Sequence, residues 1–298
     1  MVTGYGMDTQ CSPRELALFA GAGLGLLGTH ALGCELVCAV EWEPYAADVL
    51  AARMRDGWLD EAPIWDDVRS FDGRPWRGHV DLVSAGFPCQ PFSVAGKQRA
   101  ADDARNGWPH TARIIREVRP PVAWLENVPG LVSGSHGYFG RVLGDLAALG
   151  YDAVWCVLGA RDVGAPHRRD RLFILAIDAN ANRRRLAQFA QLYGQPGQGQ
   201  HRQRRYDAVR LRRHVPDADR TGCQKLDTAA EPSQARQHPR RARARRGAWE
   251  AEPDVGRVAD GVACRVDRLR AIGNGQVPQQ VIGAWHELWG RAIEQCIV

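Results

Sequence analysis

A chain of 298 residues, 45% hydrophobic and 24% charged, can bury a sizeable core and has room for one large α/β domain with a smaller region beside it. There is no basic-then-apolar leader pattern and no apolar run near the roughly 18 residues of a membrane span, so neither secretion nor insertion is supported and the cytoplasm is the expected compartment. The net charge of +5 is regional: Arg183 to Arg246 holds 16 Arg and 1 Lys against 5 acids, a balance of +12 that leaves −7 for the rest, and such a stretch is either a nucleic-acid surface or a solvated basic linker.

Short apolar runs rich in β-branched residues at 15–20, 34–40, 62–64, 80–86, 121–126, 152–158 and 171–177 read as strands. Helices are predicted at 44–55, 108–118 and 138–149, where apolar positions recur three and four apart. The alternation predicts a doubly wound, mostly parallel, Rossmann-like sheet in the common 3-2-1-4-5 order. After Ile177 the pattern stops, and to about Val255 the chain is rich in Arg, Gln, Ala, Gly and Asp. Order resumes in "RVDRLRAIGNGQVPQQVIGAWHELWGRAIEQC", read as a Gly/Asn turn followed by an amphipathic helix that returns to the first domain. The predicted organisation is therefore a domain over 1–177 completed by 258–298, with 178–257 as a small, irregular, basic region.

The eight cysteines form no CxxC pair and no Cys/His cluster at zinc-finger spacing, so neither disulfides nor a metal site is expected. Seven of them read as small hydrophobes. Cys89 differs, because "GFPCQPF" fixes it between Pro88 and Pro91, and proline restricts both itself and the residue before it. Stiff backbone at a thiol suits a sulfur that must be aimed.

The first strand runs into "FAGAGLGLLG", where glycines between a strand and a helix let backbone approach a ligand. Gly23, Gly25 and Gly28 satisfy G-x-G-x-x-G, although Gly21 and Gly23 are the glycines nearest the strand end. Glu41, closing the second strand, supplies an acid for ribose hydroxyls; NAD enzymes and adenosylmethionine enzymes both place one there. In a 3-2-1-4-5 sheet, Glu41, Cys89 and Glu126 converge on one crevice beyond the strand ends. A thiol and a carboxylate flanking a nucleoside pocket suit covalent catalysis on an electron-poor ring. In "APHRRDRLFILA", strand alternation predicts His167, Arg169 and Arg171 on one face and Arg168 and Asp170 on the other, with a salt-bridged strand edge as the plainer reading.

Taken together, these segments resemble the DNA (cytosine-5)-methyltransferase family. "FAGAG" resembles its cofactor loop, "VEW" its ribose-acid segment, "DDV" its adenine segment, "GFPCQPFS" its nucleophile loop, "ENV" its carboxylate, "HRRDRLF" its paired arginines and "AIGNGQVP" its C-terminal motif. The seven occur in the family's order and cover 16–177 and 268–298. The resemblance implies S-adenosylmethionine as cofactor, with Phe19 and Trp42 flanking the adenine, Gly21 and Gly23 in the loop, Glu41 on the ribose, Asp67 at the adenine amine and Asn274 at the methionine end. It implies that Cys89 attacks C6 of a cytosine flipped out of duplex DNA, that Glu126 engages N3 and the exocyclic amine, that Arg171 binds O2 and that Arg169 steadies the nucleophile loop. Phe87, Pro88, Gln90 and Ser93 belong to that substrate loop.

The resemblance further implies a short prokaryotic or phage-type enzyme acting as a monomer in a restriction-modification setting, with a cognate restriction endonuclease as partner and 178–257 as target-recognition region. The sequence departs from the family at His167, where Gln is usual, and in "EPDVGRVADGVACRVDRL", where the ninth motif is not evident. The competing readings are a tRNA cytosine methyltransferase, a silent DNA-binding relative and an NAD-type oxidoreductase.

Overall fold

The computed structural model describes residues 12–88, 106–134, 137–181, 186, 189 and 265–295. Cys89, Gln90, Ser93 and nearly all of 178–257 lie outside the described residues. Seven strands, β1 (Arg14–Leu18), β2 (Glu35–Val40), β3 (Ile64–Trp65), β4 (Leu82–Ala85), β5 (Val122–Asn127), β6 (Tyr151–Leu158) and β7 (Arg171–Asp178), form one sheet in the order β3-β2-β1-β4-β5-β7-β6. The first five pair in parallel, and β7 runs antiparallel to both β5 and β6. The helices are α1 (Leu24–Ala31), α2 (Pro44–Arg55), α3 (Trp108–Val118), α4 (Gly130–Ser133), α5 (Tyr138–Ala148), α6 (Arg265–Asn274) and α7 (Pro278–Glu294). This is the doubly wound Rossmann-like fold class that the alternating pattern predicts.

Both faces of the sheet are covered, which is why β5 and β7 read as continuous apolar runs rather than alternating ones. On one face Leu16, Leu18, Val83, Ala123 and Leu125 pack with Ile114, Ile115 and Val118 of α3 and with Val142 and Leu146 of α5. On the other, Leu82, Trp124, Phe173 and Leu175 meet Val281, Trp285, Leu288 and Trp289 of α7. Trp285 and Trp289 stack with centroids 5.7 Å apart, and Trp124 lies 5.1 Å from Trp285. Offset aromatic contacts of this kind add to area burial by about 0.5–1.5 kcal/mol each. Cys34, Cys38 and Cys156 are buried. Burial pushes the thiol of Cys38 up to about 11 and that of Cys156 to about 12, so they are protonated fillers.

The sheet core reaches past residue 177, since Leu186 and Phe189 are buried and Phe189 lies 6.0 Å from the Trp289 ring. The C-terminal return also differs from its sequence reading. "AIGN" is the last turn of α6, not a loop, and the turn into α7 falls at 275–277. The Gly273-Asn274-Gly275 run gives the segment its turn-like reading; in the structure the apolar Val266, Leu269 and Ile272 of α6 are exposed, while Arg270 reaches Glu43 beside α2 at 3.5 Å.

Helix α7 crosses α1 closely at Gly28, where an added Cβ would lie 2.6 Å from Val281 Cβ and 3.0 Å from the Pro278 carbonyl oxygen. Overpacking of this kind costs about 1–3 kcal/mol. The gain in helix propensity from Gly to Ala, about 1 kcal/mol, offsets only part of it. Gly28→Ala is therefore expected to lower Tm by several degrees in a thermal melt.

Candidate active site

Beyond the C-terminal ends of β1, β4 and β5 lies a cavity of about 530 Å3 counting its open mouth, walled by Phe19, Gly21, Ser84, Glu126, Asn274 and Gln276 among others. The position is the crevice where strand order reverses in a doubly wound sheet. The glycine loop forms its rim: Phe19 and Gly21 have φ of 54° and 56°, and the Gly23 amide donates to the Ala20 carbonyl at 3.0 Å. A Cβ at Gly21 would meet nothing within 4 Å, so the space above it is open, but its positive φ favours glycine.

Glu41 buttresses this loop. Its carboxylate accepts from the Gly21 amide at 2.6 Å and the Glu43 amide at 2.8 Å. Burial pushes its pKa up, and those backbone bonds pull it back. Packing by itself requires glycine at all three positions of the G-x-G-x-x-G spacing. A Cβ at Gly23 would strike Leu50 at 2.8 Å, at Gly25 the Gln276 side chain at 2.9 Å, and at Gly28 Val281.

Phe19 lines the cavity and also packs against the main core. Trp42 and Asp67 lie outside the cavity wall. Trp42 is 65% exposed, with the Arg69 guanidinium 4.9 Å from its ring centroid. Asp67 takes the Arg69 Nε at 2.9 Å and its amide at 2.8 Å, and that side-chain bond holds its carboxyl below the usual range. Asn274, at the end of α6, joins the wall from the far end of the chain.

Glu126, near the end of β5, is a carboxyl in the cavity wall. Its Oε1 pairs with Arg171 Nε at 2.9 Å, the two side chains only 12% and 18% exposed. Burial raises its pKa to about 6, against the opposing pull of Arg171 and Arg169. Gly86 makes room for it, since a Cβ there would sit 3.2 Å from Glu126 Oε2 and from Gln276 Nε2.

The arginines arrive by a route that strand alternation did not foresee. β7 begins only at Arg171, and Arg169 sits in a turn with φ of 34°. Arg169 Nη2 donates to the carbonyls of Gly273, at 2.7 Å, and Gly275, tying it to the C-terminal motif. Arg168 and Asp170 form an exposed pair at 3.5 Å, which is the salt-bridged edge of the plainer reading. His167 is half-buried in the turn ahead of Arg169.

The stem of the thiol-bearing loop is pinned at both ends. Phe87 is buried against Trp108, ring centroids 5.3 Å apart, and its carbonyl accepts from Asn127 Nδ2 at 2.9 Å. The Gly107 amide donates to the Pro88 carbonyl at 3.0 Å, and a Cβ on Gly107 would lie 2.6 Å from Pro88 Cδ. The chain on each side of 89–105 is thus held together next to Glu126.

Four residues at this site escaped the sequence reading. Asn127 was hidden because only the carboxylate of "ENV" stood out. Gln276 lines the cavity within the quoted "AIGNGQVP". Gln280, fully buried on α7, donates to the carbonyls of Leu158 at 2.9 Å and Arg169 at 2.8 Å, fixing the arginine turn. Glu15, a buried acid at the cavity floor, was read as part of an ordinary strand.

The model of the C-5 cytosine-specific DNA methylase family matches residues 14–285. Type II methyltransferase M.NgoMIV of Neisseria gonorrhoeae is 37% identical over 164 residues, 55% of this chain and 51% of the relative. Type II methyltransferase M.HhaI of Haemophilus parahaemolyticus is 34% identical over 171 residues, 57% and 50% of the two chains. The chain thus aligns with about half the length of these curated relatives. A solved structure of Spodoptera frugiperda DNMT2 superposes with a TM-score of 0.48 at 22% identity, covering 57% of this chain and 51% of that one. On the match to 14–285, which takes in the glycine loop, Glu126 and both arginines, the chain belongs to the C-5 cytosine-specific DNA methylase family.

Proposed function

We propose that the protein is a DNA (cytosine-5-)-methyltransferase that methylates C5 of a cytosine flipped out of duplex DNA, through a covalent adduct on Cys89. One observation carries the reading: a buried carboxyl with a raised pKa, Glu126, is paired to Arg171 on the wall of a cavity rimmed by a glycine loop, beside the pinned stem that leads into Cys89.

The residues present fit S-adenosylmethionine. Open space over Gly21, the Glu41 carboxylate behind the loop, Phe19 in the wall and the largely exposed Trp42 nearby supply a backbone cradle, a hydroxyl acceptor and aromatic faces. Bound there, this cofactor would supply an electrophilic methyl group. Phe19, Gly21, Gly23, Glu41, Trp42, Asp67 and Asn274 are the residues assigned to hold it, of which Asp67 would first have to share its carboxylate with Arg69.

C5 of cytosine is a poor nucleophile, and addition of the Cys89 thiolate to C6 would make it enamine-like. Glu126, with a pKa near 6, holds a proton at N3 at little cost as the ring gains electrons. Arg171 steadies Glu126 through Nε and gives Nη1 to the Asp170 carbonyl, and its guanidinium would also meet the base oxygen. Arg169 locks the 273–275 carbonyls, and so holds the cofactor wall against the catalytic strand. Phe87, Pro88, Gln90 and Ser93 would frame the extruded base, whose unstacking costs about a few kcal/mol.

In this reading 1–177 with 258–298 is catalytic, and 178–257 offers arginines to phosphates and reads the target. The enzyme would act as a cytoplasmic monomer beside a cognate restriction endonuclease. Bisulfite sequencing of DNA from cells expressing the chain is expected to reveal new methylcytosine in one sequence context. No new methylcytosine, from protein that binds both DNA and S-adenosylmethionine, would refute the proposal.

A further inference from the structure

Two carboxyls line the cavity. Among the described residues of its wall only Glu126 and Glu15 are ionisable. Glu15 comes from β1, is 1% exposed, and accepts the Ser84 hydroxyl of β4 at 2.5 Å. Its second partner is the Thr29 hydroxyl of α1. Thr29 already donates to the Leu26 carbonyl at 3.2 Å. A hydroxyl can turn its one proton to either acceptor, and given to Glu15 it favours the carboxylate form.

The other charged group facing Glu15 is Asp60, itself 3.2 Å from His30. Burial is the largest influence on Glu15 and lifts its pKa to about 7; Asp60 adds in the same direction, and the bonds from Ser84 and Thr29 oppose both. An apolar side chain would fill this position on a buried strand without such a cost.

The proposed reaction leaves one proton without an acceptor. After methylation the C5–H bond must break: its electron pair forms the C5–C6 double bond, the Cys89–C6 bond breaks, and sulfur leaves as thiolate. Glu126 is occupied at N3. We infer that Glu15 is the acceptor of the proton displaced from C5, reached through water in the shared cavity by way of Ser84, and that it returns this proton to solvent after product leaves. Glu15 touches no substrate and is a positioning and relay residue. The inference rests on the methyltransferase reading above.

The test uses the full chain, a cytosine-containing duplex and S-adenosylmethionine. Glu15→Gln keeps an acceptor for Ser84 and a donor for Thr29 but cannot take a proton. It is expected to slow turnover by about 10²-fold. KM for the cofactor should stay within about two-fold of the wild type, since general-base loss acts on the chemical step. Because elimination is the blocked step, a protein–DNA adduct carrying a methylated base should build up and survive denaturing electrophoresis. The rate of the wild type should rise through pH 7, and that of Glu15→Gln should not. Glu15→Asp should recover part of the rate.

Wild-type turnover by Glu15→Gln, or slow turnover with no adduct, would overturn the assignment; the latter is what a purely structural role gives. Should Glu15→Gln not fold, Ser84→Ala, which breaks the relay beside the carboxyl, is read by the same adduct assay with the same two outcomes. A wild type that makes no methylcytosine defeats the methyltransferase reading itself, and this assignment with it.

Discussion

Cys89→Ser is expected to abolish methylcytosine formation, by about 10³-fold or more, while cofactor binding is unchanged. A serine hydroxyl is far less ionised than a thiol near neutral pH and is the weaker nucleophile, and the loop stem at Phe87 and Pro88 is held by Asn127 and Gly107 whichever atom follows. Glu126→Gln is expected to fall about 10²–10⁴-fold, because the amide cannot hold a proton at N3. The two variants separate on one measurement: Glu126→Gln retains a thiol that can still be alkylated in competition with DNA. Equal methylation by Cys89→Ser and the wild type would remove the covalent route altogether.

The second large effect concerns stability. Glu15 has a folded pKa near 7 against an ordinary 4.5, so the fold binds its proton more tightly than the unfolded chain does. Its contribution is fully present below the unfolded value and is lost as pH rises through 7. At about 1.4 kcal/mol per pKa unit, the wild type should lose up to about 3 kcal/mol between pH 4.5 and pH 8 on this account. Glu126, near 6, acts in the same direction with a smaller span. Glu15→Gln carries no such loss, and chemical denaturation at pH 8 should find it more stable than the wild type. The gap should close toward pH 5. A wild type whose advantage over the variant grows with pH would reverse the sign and rule this out. Stability gained together with turnover lost is the pattern expected where a buried group is kept for chemistry.

The strands, their order and the helices at 44–55 and 108–118 were legible because period, length and flanking turns all agree in those segments. The placing of Arg169 and Arg171 on one strand face is only half right: Arg171 faces Glu126 from a true strand, whereas Arg169 gets there through a left-handed turn. A positive φ at arginine is set by tertiary bonds, here from Gly273, Gly275 and Gln280, which lie more than a hundred residues away. Helix α6 carries no inward apolar stripe to betray it. Glu15 looked like one polar residue at a strand start, and only the approach of Ser84 and Thr29 from other elements gives it meaning.

The cavity wall at Asn274, Gly275 and Gln276 also sets an order in time. A ribosome has made both acids, both arginines and the glycine loop once it passes Arg171, yet 103 more residues must be added to reach Asn274. At about 5–20 residues per second that interval is roughly 5–20 s. Throughout it, the nascent chain lacks the part of the cavity wall that Asn274, Gly275 and Gln276 supply.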